Sequence, residues 1–89
     1  MASSEIKTFT FGKINGIIHD FAKIGDELPT HVHDESTNHM TIIARGAFKC
    51  TTDTWEKELK AGDVIDWPAG VNHSFVALKR NSRLVNILK

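Results

Sequence analysis

Short β-rich runs separated by turn signals constrain the fold of this chain more than any other sequence feature. β-branched and aromatic residues recur in these runs, and Gly, Pro, Asn and Asp stand between them. No run shows the length and 3.6-residue period of an amphipathic helix. The predicted strands cover residues 6–11, 16–24, 28–33, 40–44, 47–52, 55–59, 64–67, 74–78 and 83–88. Their spacing is typical of an all-β sandwich or barrel with about nine short antiparallel strands.

Two local signals refine this strand prediction. Residues 12–16 supply the turn chemistry of the first hairpin, since Asn15 and Gly16 both tolerate positive φ. Pro29 has no backbone N–H to donate to a neighbouring strand. The third strand is therefore expected at a sheet edge, or to begin at this residue.

The length of 89 residues predicts a single domain over residues 1–89. A domain of this size buries roughly 60–68% of the surface that its unfolded chain exposes, so pairing with a second copy would add useful apolar burial. A homodimer is therefore favoured.

The formal net charge of zero argues against nucleic-acid and membrane partners. Without a leader-like start or a long apolar stretch, the chain is expected to be soluble and cytoplasmic.

The single cysteine, Cys50, cannot form an internal disulfide. A small buried core residue is its expected role, because free cysteines are commonly buried.

Histidines are concentrated in one stretch of the chain. Three of the five, His31, His33 and His39, fall within nine residues. On an extended strand His31 and His33 project from the same face, since side chains alternate with a period of two. Two adjacent imidazoles on one face are the beginning of a transition-metal site.

A second informative stretch runs from Gly62 to His73. Gly62 precedes a predicted strand, and Pro68 and Gly70 predict a tight turn. His73 then begins the next strand with its side chain expected to point inward.

With these residues the chain resembles the cupin superfamily, in which two motifs bracket a metal site inside a small jelly-roll barrel. The first motif has Gly, five residues, His-x-His, three or four residues, Glu, six residues and Gly. It is matched by Gly25, His31, His33 and Gly46. The second motif has Gly, five residues, Pro-x-Gly, two residues, His, three residues and Asn. It is matched by Gly62, Pro68, Gly70 and His73.

The chain departs from the family pattern at two positions. Counting back six residues from Gly46 places His39 where the family usually has a glutamate, with Glu35 as the rival fourth ligand. Ala77 stands where the family often has Asn, which removes a polar group from near the pocket floor. The resemblance thus implies a metal held by four histidines: His31, His33, His39 and His73.

The implied cofactor is one divalent transition metal, Fe, Zn, Ni, Mn or Cu, because a site of neutral imidazoles is poorly suited to Mg or Ca. Imidazoles with an ordinary pKa of about 6.5 must lose their proton to bind, so metal release is expected below about pH 6.

Strand parity extends the candidate site into a pocket. The residues expected to line it are Thr41, Ile43, Phe48, Trp67 and Phe75, with Cys50 sharing the interior. Core packing or a dimer interface is the alternative role for Trp67. By the opposite parity Met40 and Ile42 face outward, which again suggests a covering second copy. His19 lies outside both motifs and is expected to be an ordinary strand or surface histidine.

Three functions are compatible with this pattern. An apolar pocket with few acid–base groups favours a metal-dependent, dioxygenase-like oxidoreductase acting on a small organic molecule. A non-redox isomerase or lyase of sugar-derived acids is the first alternative, although it would need a more polar pocket. A non-catalytic module that binds a metal or small ligand is the second. One fold hosts many activities, so the resemblance is a weak guide among them.

Overall fold

The computed structural model describes residues 5–31, 39–67 and 73–88, without the side chains of residues 29–31 and 39. This part of the chain forms nine strands. They are β1 (Glu5–Phe11), β2 (Ile14–Phe21), β3 (Glu27–His31), β4 (His39–Arg45), β5 (Ala47–Thr52), β6 (Glu56–Lys60), β7 (Val64–Trp67), β8 (His73–Ala77) and β9 (Ser82–Leu88).

The strands form two antiparallel sheets. One sheet has the order β1-β2-β9-β4-β7, and the other has the order β3-β8-β5-β6. The predicted all-β jelly-roll architecture is confirmed. The expectation for Pro29 is confirmed as well, because β3 is an edge strand of the four-stranded sheet. Within the described ranges no helix is long and apolar enough to cross a membrane.

The two sheets are held together by a core of aromatic rings. Phe21 of β2, Phe48 of β5 and Phe75 of β8 are fully buried. The rings of Phe21 and Phe48 meet edge to face at 5.0 Å, and those of Phe48 and Phe75 meet in the same way at 6.2 Å. Such edge-to-face pairs are favourable beyond the area they bury. Because Phe21 belongs to one sheet and Phe48 to the other, this cluster joins the layers.

The first hairpin turns within the predicted residues 12–16, but at Gly12-Lys13 and not at the Asn15-Gly16 pair. Phe11 pairs with Ile14, so the hairpin turns through Gly12 and Lys13, and Gly12 has φ +63°. A glycine at the first position of a two-residue hairpin loop is one of the arrangements that match strand twist. Gly16 instead lies inside β2, where a Cβ would collide with the ring of Phe9. Its function is close packing under that ring.

An ion cluster lies at one end of the five-stranded sheet. The Asp20 carboxylate accepts two hydrogen bonds from Arg83, at 2.6 and 3.1 Å, and lies 3.6 Å from the Arg45 guanidinium. The hydrogen bond from Arg83 is the main cause that lowers the pKa of Asp20 below its ordinary value of 3.8, against the opposing effect of burial. The charges of Arg83, Lys7 and Arg45 add to the lowering.

This lowered pKa predicts a pH-dependent stability contribution from Asp20. The contribution is complete above about pH 5 and is lost as the pH falls through the folded-state pKa. In urea unfolding, Asp20→Asn should therefore destabilise the protein at pH 7, and the difference from the wild type should shrink towards pH 3. Glu58→Gln, which removes an exposed carboxylate, is the control. A difference for Asp20→Asn that is independent of pH would contradict the assignment.

Among the turn glycines that the structure describes, Gly46 is predicted to be the most sensitive to substitution. It has φ +78°, and a Cβ would collide with the Ser82 side chain and lie 3.0 Å from the Ser82 Cα. Gly12 has φ +63° with open space around it. Substitution there therefore measures the cost of the positive φ alone, without a steric clash. Gly12→Ala should cost about 1 kcal/mol and Gly46→Ala about 3 kcal/mol of unfolding free energy. Equal losses in urea unfolding would show that the Ser82 contact is unimportant.

Candidate metal centre

The backbone brings two of the motif histidines together. β3 and β8 are neighbours, and His31 and His73 are direct partners in their register. Directly opposed residues of an antiparallel pair have Cα atoms about 4.5–5.5 Å apart. The register therefore joins one histidine from each of the two sequence motifs, although 42 positions separate them along the chain.

A third motif histidine is connected through Trp67. In the other sheet His39 of β4 is the register partner of Trp67 in β7. The Trp67 indole crosses the interior and stacks on the His73 imidazole, with ring centroids 4.2 Å apart and planes 9° apart. The backbone position of His39 and the ring of His73 thus belong to the same end of the barrel.

The remaining predicted ligand lies outside the described residues. His33 falls in the range 32–38, as does the rival ligand Glu35, and the side chains of His31 and His39 are also outside the description. Among the described residues no group of three or more His, Cys, Asp or Glu side chains could hold a metal. The four-histidine ligand set therefore stays a prediction.

His73 is held in a fixed orientation. It is fully buried, and the Phe75 ring meets it at 5.8 Å and 73° on a side different from the Trp67 stack. Trp67 is itself anchored, because its indole Nε1 donates a 2.9 Å hydrogen bond to Thr41 Oγ1. Thr41 Oγ1 in turn donates to Asn86 Oδ1 at 2.6 Å. Buried hydrogen bonds therefore connect Trp67, which stacks on His73, through Thr41 to Asn86 in the central strand β9.

Asn86 was not predicted as a site residue. Ala77 in place of the family's Asn was expected to remove a polar group from near the pocket floor, but Asn86 supplies a buried amide from a different strand. No motif marks it. Its only sequence signal is its place at an inward position of the last strand, two residues after Leu84.

Trp55 was also not predicted as part of the site. It precedes β6, is 39% exposed, and stacks on Trp67 with centroids 5.8 Å apart and planes 3° apart. The Lys57 ammonium lies 6.0 Å from the Trp55 ring, within cation–π range. Two indoles and an imidazole thus form one continuous stack from the surface to the interior.

The residues predicted to line the pocket are all buried in the barrel. They are Thr41, Ile43, Phe48, Trp67 and Phe75. Cys50 is buried with them, and burial raises the pKa of its thiol to about 12. At neutral pH the thiol form of Cys50 is therefore favoured over the thiolate. His19 is a buried residue of β2 that stacks near Phe21 at 6.4 Å, so it is a strand histidine and not a surface one.

Polar groups in the described interior are few. The buried polar or charged residues are His19, Asp26, Thr41, His73, Ser82 and Asn86. The one carboxylate, Asp26, accepts a hydrogen bond from the Lys23 backbone N–H in the connection between β2 and β3. Ser82 donates to the Lys79 carbonyl. The described walls around His73 therefore offer aromatic surface and the Thr41–Asn86 pair.

The two hydrogen bonds of Thr41 predict that a valine at this position is less stable than a serine. Thr41→Val removes the hydroxyl while keeping the shape, and leaves the Trp67 N–H and the Asn86 carbonyl unsatisfied at this point. The loss should be about 1–3 kcal/mol of unfolding free energy. Thr41→Ser keeps the hydroxyl and is the matched control, with a smaller loss in urea unfolding. A Val variant as stable as the Ser variant would contradict the importance of the hydrogen bonds.

Comparison with known proteins identifies the family. The cupin domain model matches residues 18–87, and the chain belongs to this family. The structure is similar to KdgF from Halomonas sp., with a TM-score of 0.84 and 21% identity over 96% of this chain and 76% of that one. An RmlC-like cupin from Desulfovibrio desulfuricans has a TM-score of 0.83 and 16% identity, over 97% and 81% of the two chains.

The cupin domain of Schizosaccharomyces pombe Cnp3 gives a TM-score of 0.82 at 15% identity, over 96% of this chain and 63% of that one. At these low identities the likenesses show the fold alone. No curated protein matches the chain in the sequence comparison.

Proposed function

We propose that this cupin binds one divalent transition metal through His31, His33, His39 and His73, and acts as a dioxygenase-like oxidoreductase on a small organic substrate. The observation that carries the proposal is the register of β3 with β8, which sets His31 directly opposite His73. This convergence is what a bipartite metal site requires of the fold.

The donor chemistry fits a metal such as Fe, Zn, Ni, Mn or Cu. Neutral imidazoles are ligands for transition metals, whereas Mg and Ca prefer oxygen donors. Such a metal supplies Lewis acidity and, for a redox-active ion, electron transfer. Elemental analysis of the purified protein identifies which of these ions it holds.

Trp67 supports the proposed ligand His73. The stacked indole limits rotation of the imidazole, and the hydrogen bond to Thr41 limits movement of the indole. Restrained ligand rings lower the entropic cost of binding a metal, since less freedom is lost when the bond forms. Phe75, packed at 5.8 Å against the same imidazole, excludes water from another side.

The described interior favours a reaction that does not depend on a carboxylate base. Its one buried carboxylate, Asp26, is engaged in a connection between strands, and the Cys50 thiol is protonated at neutral pH. Oxygenation of a substrate that coordinates the metal itself makes little demand on such groups. Diols, diketones and thiols are the substrate classes with the chemistry to coordinate in this way.

One observation supports the isomerase or lyase alternative. Asn86 places an amide in the interior next to Thr41, so the pocket wall is less apolar than the sequence suggested. An amide could orient a hydroxyl or carbonyl group of a sugar-derived acid. Its oxygen accepts the hydrogen bond from the Thr41 hydroxyl, which leaves the amide NH₂ as the donor available to a substrate.

The metal site is tested by metal content. The double variant His31→Ala with His73→Ala should purify with background metal, because it removes one ligand from each motif. His19→Ala, which removes a buried histidine outside both motifs, should keep the wild-type stoichiometry. Elemental analysis, with circular dichroism to verify folding, provides the measurement. Unchanged metal in a folded double variant would refute the ligand assignment.

The reaction class is tested by oxygen consumption. Protein loaded with Fe(II) should consume oxygen when supplied with a diol, diketone or thiol, and the folded double variant should not. Turnover of a sugar-derived acid without oxygen consumption would favour the isomerase or lyase instead. Full metal occupancy with no turnover by any redox metal would refute the oxidoreductase and favour the non-catalytic binding module.

A further inference from the structure

Both tryptophans of the chain lie in one stack of rings with His73. The ring planes differ by 9° between His73 and Trp67 and by 3° between Trp67 and Trp55, with centroids 4.2 and 5.8 Å apart. We call these three residues the aromatic stack. Exposure rises along it from 0% at His73 through 2% at Trp67 to 39% at Trp55. The aromatic stack therefore connects a proposed metal ligand with the protein surface.

Indole rings are suited to carrying electrons along such a stack. Among aromatic side chains, tryptophan and tyrosine give up one electron most readily, and this chain has no tyrosine. Stacked rings exchange an electron rapidly because their π orbitals overlap. The fully buried aromatic rings elsewhere in the core are phenylalanines, Phe21, Phe48 and Phe75, which are much harder to oxidise. The readily oxidised rings thus lie on the route from His73 to the solvent.

The two indoles differ in the surroundings of their N–H proton. Trp67 Nε1 donates to Thr41 Oγ1 at 2.9 Å, and this hydroxyl donates its own proton to Asn86 Oδ1. A neutral hydroxyl is a poor base, so a Trp67 ring that loses an electron keeps its proton and is readily reduced again. Trp55 is partly exposed, so water can accept its proton. Trp67 is therefore a relay, and Trp55 is the end of the route.

The position of Trp55 is fixed by a short turn. Its backbone N–H donates to Thr52 Oγ1 at 3.1 Å, and its carbonyl accepts the Thr52 backbone N–H at 2.8 Å. The Lys57 ammonium, 6.0 Å from the Trp55 ring, disfavours a further positive charge on that ring. Loss of an electron from Trp55 is therefore coupled to release of its indole proton.

We propose that the aromatic stack carries oxidising equivalents from the metal site to the surface, where a small thiol removes them. This function rests on the proposed metal site and protects it. When a peroxide reacts at a redox-active metal in the absence of substrate, oxidation is led away from the histidine ligands. The co-reactants belong to two chemical classes, a peroxide as the oxidant and a thiol as the reductant.

Electrons and protons balance along this route. Hydrogen peroxide takes up two electrons and two protons at the metal site, its O–O bond breaks, and two waters form. The site recovers one electron from Trp67, and Trp67 recovers one from Trp55. Trp55 releases its indole proton to water and becomes a neutral radical, to which a thiol returns one hydrogen atom. Two such transfers restore the site, and the two thiyl radicals couple to a disulfide.

Freeze-quench electron paramagnetic resonance tests the route. The Fe(II)-loaded wild type, mixed with hydrogen peroxide without substrate or thiol, should give a tryptophanyl radical. Trp55→Tyr should change the signal to that of a tyrosyl radical, because the phenol is then the end of the route. Adding Trp67→Phe to this variant should abolish the tyrosyl signal, since phenylalanine cannot relay the electron. A role in packing alone would not move the radical from one residue type to another.

Phe11→Tyr is the matched control for oxidants that diffuse in solution. Phe11 is 79% exposed, more than Trp55, and lies on β1 outside the aromatic stack. A tyrosine at this position should give no tyrosyl signal, because no stacked ring connects it with the metal site.

Peptide mass spectrometry after longer exposure to peroxide tests the protection. Trypsin separates the two indoles, since Trp55 falls in peptide 50–57 and Trp67 falls with His73 in peptide 61–79. In the wild type the oxygen additions should lie on Trp55, and a thiol should suppress them. In Trp55→Phe they should shift to peptide 61–79, and the protein should lose its iron sooner.

Circular dichroism verifies folding, and elemental analysis verifies the iron content of every sample. A tyrosyl signal that survives Trp67→Phe, or that Phe11→Tyr reproduces, would overturn the proposal. Should Trp67→Phe fail to fold, the comparison of Trp55→Tyr with Phe11→Tyr decides the question, because both positions are exposed.

The iron content separates the failure of this proposal from that of the metal site. An iron-loaded wild type without a tryptophanyl radical would overturn the route and leave the metal site standing. A wild type that binds no iron would refute the metal site and the route with it.

Discussion

The stack of Trp67 on His73 is the contact on which the candidate site depends. Trp67 belongs to the five-stranded sheet and His73 to the four-stranded one, so this pair joins the two layers at the end where the motif histidines lie. Thr41 and Asn86 extend the contact by hydrogen bonds into β4 and β9. A change in the distance between the two sheets would therefore move the Trp67 indole relative to the His73 imidazole. The same residues serve stability and the orientation of a proposed ligand, which links the fold to the function at this point.

The sequence was sufficient for the strand architecture because side-chain alternation and turn residues are local signals. Alternation placed Thr41, Ile43 and Phe75 inside, and all are buried. The turn signal was misleading at Asn15-Gly16, where a favourable turn pair lies inside a strand because Phe9 needs a neighbour without a side chain. That requirement is a contact across strands, and it cannot be read from the residues of one strand alone.

The site shows the same division between local and non-local information. The spacing of the two motifs predicted that His31 and His73 share a site, and the register sets their backbone positions opposite each other, while their roles as ligands stay a prediction. Trp55 and Asn86 escaped prediction because neither belongs to a motif. Their positions beside Trp67 and Thr41 follow from how the two sheets are stacked. Residues that support a ligand are in general harder to find than the ligand, because many combinations of side chains can do the supporting.

The exposed strand β1 has a consequence for the motions of the molecule. It is bound along one edge only, by its hydrogen bonds to β2, and all of its side chains are exposed. Little apolar burial opposes its detachment, so the cost of opening it locally is low. Its amide protons would exchange with solvent before those of the central strand β9. Release of β1 would uncover an edge of β2, which would then be open to pairing with another strand.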